Sequence, residues 1–146
     1  MNYLSRGLCS VVLLLSTIIA SAQQHKARPL LFDRYSDSLS CSSHEIEKIF
    51  KLPAGSPVEA RLSPSLTIRG HVRTFTVKYA NLKTVIIDCT DMGGAIFSIS
   101  ARNEGGSLTY IGRIFTSNYA DGFELLQDNR GNYQLKKFKV EDVIMD

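Results

Sequence analysis

The chain is short of the side chains that usually carry chemistry. Its 146 residues hold three cysteines and three histidines. His25, His44 and His71 stand far apart, so no local pair has the spacing that a zinc site uses. A C-x-x-C motif is missing, which counts against a thiol oxidoreductase. A G-x-S-x-G elbow is also absent, and "GGSL" at 105–108 reads as a turn entering a strand. Calcium would want oxygen ligands in a D-x-D-x-D-G pattern, and none occurs. There is no N-x-S/T sequon, internal repeat or low-complexity tract. These gaps point away from cofactor and metal chemistry, and none is expected.

Charge of one sign is scarce too. The formal net charge is +3, and it falls to +2 once Arg6 is removed with the leader described next. So mild a balance leaves no electrostatic footprint for nucleic acid. A long hydrophobic run occurs only once, in "MNYLSRGLCSVVLLLSTIIASA" at 1–22. Arg6 precedes an apolar core from Leu8 to Ala20, and Ala20 and Ala22 flank Ser21 as in a peptidase site. That run falls short of the roughly 18–20 residues that span a bilayer. The segment reads as a cleaved export signal with no stable membrane insertion afterwards, which places the protein in the periplasm or outside the cell.

Cys9 leaves with that leader, and Cys41 and Cys89 remain. In an oxidising compartment an isolated pair predicts a disulfide, although two buried thiols fit the sequence as well. Residues 23–40 read as a loose N-terminal segment, and 41–146 as one β-rich domain. Within it, "SSHEIEKIFKLPAG" carries one short helix. Ser42 caps it with Glu45 completing a capping box, Ile46, Ile49 and Phe50 share a face, and Leu52-Pro53 stops it.

Beyond Pro57 the pattern is strand. In "LTIRGHV" the residues Ile68, Gly70 and Val72 alternate with Arg69, His71 and Arg73, and near Thr74 the parity switches to Phe75, Val77 and Tyr79. One extra residue flips all that follow, so a β-bulge is expected there. "LKTVIIDC" reads as a strand buried on both faces. "GAIFSISA", "SLTYIGRIF", "DGFELLQ" and "YQLKKFKV" follow, separated by Gly- and Asn-rich turns at 91–94, 103–106, 117–122 and 128–132. Spacing too short for crossover helices predicts antiparallel neighbours. The expected fold is mainly β: a strongly twisted antiparallel meander or small barrel, with the helix packed on it.

Three constellations invite a functional reading. In "YIGRIFTSNYADGFEL", Arg113, Asn118, Tyr119, Asp121 and Glu124 crowd a strand–turn–strand corner. Turn chemistry accounts for them better than an acid–base pair, because adjacent turn residues cannot flank a sugar from opposite sides. Arg69, His71 and Arg73 share one strand face and form a possible anion row, since guanidinium groups suit carboxylates and phosphates. "KKFK" at 136–139 reads as lysine protection of a terminal edge strand. The reading that remains is an exported non-enzymatic binding module that presents a sheet face or loop end to a protein partner. It includes an inhibitor that inserts the 117–122 turn into a secreted enzyme. The alternatives are a barrel-type carrier of a small apolar ligand and an enzyme built on Asp121, Glu124 and Arg113.

Overall fold

A computed structural model describes residues 27–144, so the expected leader at 1–22 lies outside the described residues. The described chain forms β1 (Ser38–Cys41), α1 (Ser43–Ile49), β2 (Pro57–Arg61), β3 (Thr67–Tyr79), β4 (Leu82–Cys89) and β5 (Ile96–Glu104). It continues with β6 (Ser107–Phe115), β7 (Asp121–Gln127), β8 (Tyr133–Lys139) and α2 (Val140–Ile144). All eight strands belong to one antiparallel sheet of order β1-β8-β7-β6-β5-β4-β3-β2, curled strongly into a half-barrel. Strands β2 to β8 make the expected meander.

The period-2 pattern sets the inner face. Val58 and Ala60, then Ile68 and Val72, then Phe97 and Ile99 point inward with their intervening residues outward. Phe97, Ile99, Ile114, Phe123 and Leu125 are fully buried, so side chains fill the interior of the curl. The bulge falls where the parity changes: Val72 pairs with Ile87 and Thr74 with Ile86, leaving Arg73 as the extra residue. A second shift between Val77 and Tyr79 was not legible as a pattern. β4 is buried on its inner face alone, where Val85, Ile87 and Cys89 lie, while Ile86 is half-exposed. Antiparallel β4 has no helix layer outside it, which is why the expected two-sided burial does not arise.

Close approach of β3 to β4 depends on Gly70. A Cβ there would lie 1.8 Å from the Asp88 carbonyl oxygen, a backbone atom that cannot step aside. Only glycine allows this coil of the sheet.

Helix α1 forms where expected. The Ser42 hydroxyl accepts the Glu45 amide at 3.4 Å, and Ile46 and Ile49 are buried. The reciprocal half of the capping box is redirected. The Ser42 amide donates to the Leu62 carbonyl at 2.9 Å, and the Glu45 carboxylate accepts the Arg61 amide at 3.3 Å. α1 thereby stitches the β1 side of the sheet to the β2 side.

Three expectations are corrected. Of the segment 23–40 expected to be loose, residues 23–26 lie outside the described residues, and the rest is tied down where Phe32 is buried and Ser38–Cys41 form a strand on β8. β8 is not the expected terminal strand for "KKFK" to guard, because β1 pairs with it as far as Lys136 and the Lys137 amide donates to the Asp37 carbonyl, while the Lys137 ammonium donates to the Tyr35 carbonyl. The expected disulfide is replaced by two free thiols. Cys89 lies opposite Gly70, which pairs with Val58, whereas Cys41 approaches β2 only near Leu62. A bridge needs Cα atoms within about 7 Å, and four residues of strand already exceed that.

Candidate functional site

The corner that opens β7 is a structural joint. Asp121 is 5% exposed, and its two carboxylate oxygens accept the Leu31 amide at 2.6 Å and the Phe32 amide at 3.0 Å. The Ala120 amide donates to the Pro29 carbonyl, and Arg28 donates to the Ser117 carbonyl, both at 2.9 Å. The N-terminal segment is thus strapped over this end, with Phe32 against Phe123 at 4.7 Å between ring centroids. Tyr119 packs against the Gly93 backbone so closely that a Cβ at Gly93 would fall 2.7 Å from its ring. Asn118 is exposed, and its amide donates to the Thr116 hydroxyl at 3.5 Å. The 117–122 turn is therefore pinned on both sides.

Glu124 belongs to the other face. It pairs directly across from Arg113 on β6, and its carboxylate accepts the guanidinium at 2.9 and 3.0 Å. Arg113 also lies over the Phe138 ring at 5.8 Å. Asp121 points into the fold and Glu124 away from it, so these two carboxylates do not converge on one substrate. Their separation by three residues of strand imposes opposite faces.

Arg69, His71 and Arg73 do share the outer face, as the alternation predicts. Their charge is already met at home. Arg69 reaches Glu59 at 3.1 Å and Asp91 at 3.6 Å, and Arg73 grips Asp88 through two hydrogen bonds. The Asp88 contact raises the Arg73 pKa. An incoming anion would have to displace these partners.

A different place has the features of a binding surface. Where α1 ends, a hollow of about 340 Å³ opens between the helix and strands β4 to β6. Phe50 stacks on Tyr110 at 5.5 Å and 26°, and Tyr110 leans on Tyr133 at 5.5 Å. The Tyr110 amide donates to the Tyr133 hydroxyl at 3.1 Å, which fixes that ring. Burial raises the Tyr110 phenol above its ordinary pKa, with the Glu47 carboxylate adding to the effect. Leu108, 48% exposed, walls one side. Val77, 58% exposed, pairs across from Lys83 but is not part of the lining. Lys51 is tied to Glu47 at 2.8 Å, whereas Lys83 has no ion pair among the described residues. Asn81 and Asn103 complete the lining.

Sequence reasoning missed this site because its apolar members alternate in phase with the core. Leu108 sits on the inward parity of β6 with Tyr110 and Ile114 but is left exposed near one end of the strand. The readable signal was Lys83 at an inward position of "LKTVIIDC".

Both thiols are unsuited to nucleophilic work. Burial pushes Cys41 up to about 11 and Cys89 up to about 12, so neither is a thiolate near neutrality. Among the described residues no group of three His, Cys, Asp or Glu could hold a metal ion. No described helix is long and apolar enough to cross a membrane. No protein-family model matches the chain, and neither curated proteins nor solved structures yield a match.

Proposed function

We propose that the chain is an exported binding module that takes a protein partner at the hollow beside α1. One observation supports this reading above the rest: exposed Leu108 lines the same hollow as the stacked Phe50 and Tyr110 rings. Aromatic anchors in a preformed recess with apolar walls are what interface hot spots are built from. The Arg69–Arg73 row and the 117–122 turn fit this role less well, since one is neutralised and the other strapped down.

Affinity capture from the envelope and medium of the producing cells tests the reading, using the native mature chain beside a Leu108→Glu variant. The expected result is one stoichiometric protein held by the native chain and lost with the charged variant. A partner retained by Leu108→Glu would remove the hollow from the interface. A second reading, a small-ligand carrier, draws on the volume alone, because about 340 Å³ falls in the range of small-molecule sites. A ligand that co-purifies with the native chain and stays in its mass spectrum under native conditions would favour the carrier.

A further inference from the structure

We infer that the hollow beside α1 captures the free C-terminus of a partner polypeptide, with an apolar last side chain on the Phe50–Tyr110 stack and the terminal carboxylate on Lys83. The inference rests on the proposed binding role and adds the chemistry of what is bound. It starts from charge. The lining holds three ionic side chains, of which Glu47 and Lys51 satisfy each other at 2.8 Å, leaving the Lys83 ammonium without an ion pair among the described residues. Asn81 and Asn103 stand on the same rim, and their carboxamides add neutral N–H donors. One cation with amide donors above an aromatic floor complements a carboxylate next to an apolar group. An apolar group alone would leave the ammonium unpaired.

The sheet decides between a chain end and an internal segment. An extended internal segment gains affinity by adding to a sheet edge. β4, β5 and β6, which line the hollow, each have hydrogen-bonded neighbours on both sides. No edge is available there, so recognition falls to side chains and to a terminal group. The backbone carboxylate of a last residue lies next to its own side chain, which matches a hollow where Lys83 and Tyr110 share one cross-strand row with only Ala101 between them.

The experiment titrates the mature chain with acetyl-Ala-Ala-Phe as the free acid and as its amide, reading NMR shifts of the Lys83 and Tyr110 amides. The acid is expected to bind about 10-fold more tightly, in line with a charge-assisted hydrogen bond. Lys83→Met, which keeps the stem and removes the charge, should abolish that preference. Lys51→Met should retain it. Equal binding of acid and amide, or a preference that survives Lys83→Met, would overturn the carboxylate assignment. The hollow's role as an interface would still be judged by the Leu108→Glu capture. If 3-phenylpropionate binds as tightly as the peptide acid, the polypeptide occupant is refuted in favour of a small carboxylate.

Discussion

Asp121 and Glu124 are chemically alike and three residues apart, yet their environments give them different roles. Asp121 accepts two backbone amides in a dry setting, and removing it orphans both donors. Asp121→Ala should cost about 1–3 kcal/mol, the usual penalty for an unsatisfied buried amide, while Asp121→Asn should lose less because one acceptor survives. Glu124→Gln breaks an exposed pair and should stay within about 1 kcal/mol. Urea titrations of the three variants check the ranking, and equal losses at both positions would contradict it. Cys89 gives a pH signature. Folding raises its pKa from 9.0 to about 12, so its contribution is complete below pH 9 and is lost as pH climbs toward about 12. Over that window the group accounts for a slope near 1.4 kcal/mol per pH unit. Cys89→Ala should flatten the alkaline fall relative to the native chain by about that slope, and parallel curves would count against a buried thiol. Denaturing alkylation without reductant should label both Cys41 and Cys89, since they are free.

At the level of elements, the N-terminal strap and the β3–β4 contact do the least visible work. Phe32 brings its ring against Phe123 and Tyr35. Phe32→Ala should cost about 3–5 kcal/mol, as other buried aromatic truncations do. A negligible loss would mean that the strap is dispensable. Scattered apolar residues at 30–40 gave no period, because a segment that follows the end of a barrel contacts it wherever its path allows. Its burial was therefore illegible in sequence. Gly70 was legible only as an inward gap in an alternating strand. Gly70→Ala meets the Asp88 carbonyl and should cost at least the roughly 3 kcal/mol of ordinary overpacking. Thermal melting of this variant gives the check, and a near-native midpoint would show that the strands can separate. α1, by contrast, was readable to its cap, since Ser42 and the Ile46–Ile49 face are local features.

For the whole molecule, the filled half-barrel explains why binding would concentrate at one end. Fully buried rings and branched side chains fill the described interior, and under the proposed function recognition would fall to the mouth where the sheet outruns its core. Leu108 lies at that mouth, half-exposed, and Leu108→Glu should change folding stability by no more than about 0.5 kcal/mol, as surface substitutions do. Near-native urea midpoints would license the capture experiment, and a large loss would make Leu108 a core residue. By itself the sequence determined the antiparallel meander, the bulge near Thr74, the helix and its cap, and the shared face of Arg69, His71 and Arg73. Each of these depends on alternation or on neighbours within a few residues, and such spacing is written directly in the chain. Only the tertiary structure decided that β1 returns to cover β8, that Asp121 holds the N-terminal strap, that the two thiols stay apart, and that Lys83 has no ion pair among the described residues. Those outcomes depend on how far the sheet curls, a sum of twists over eight strands. No local stretch of residues encodes that sum.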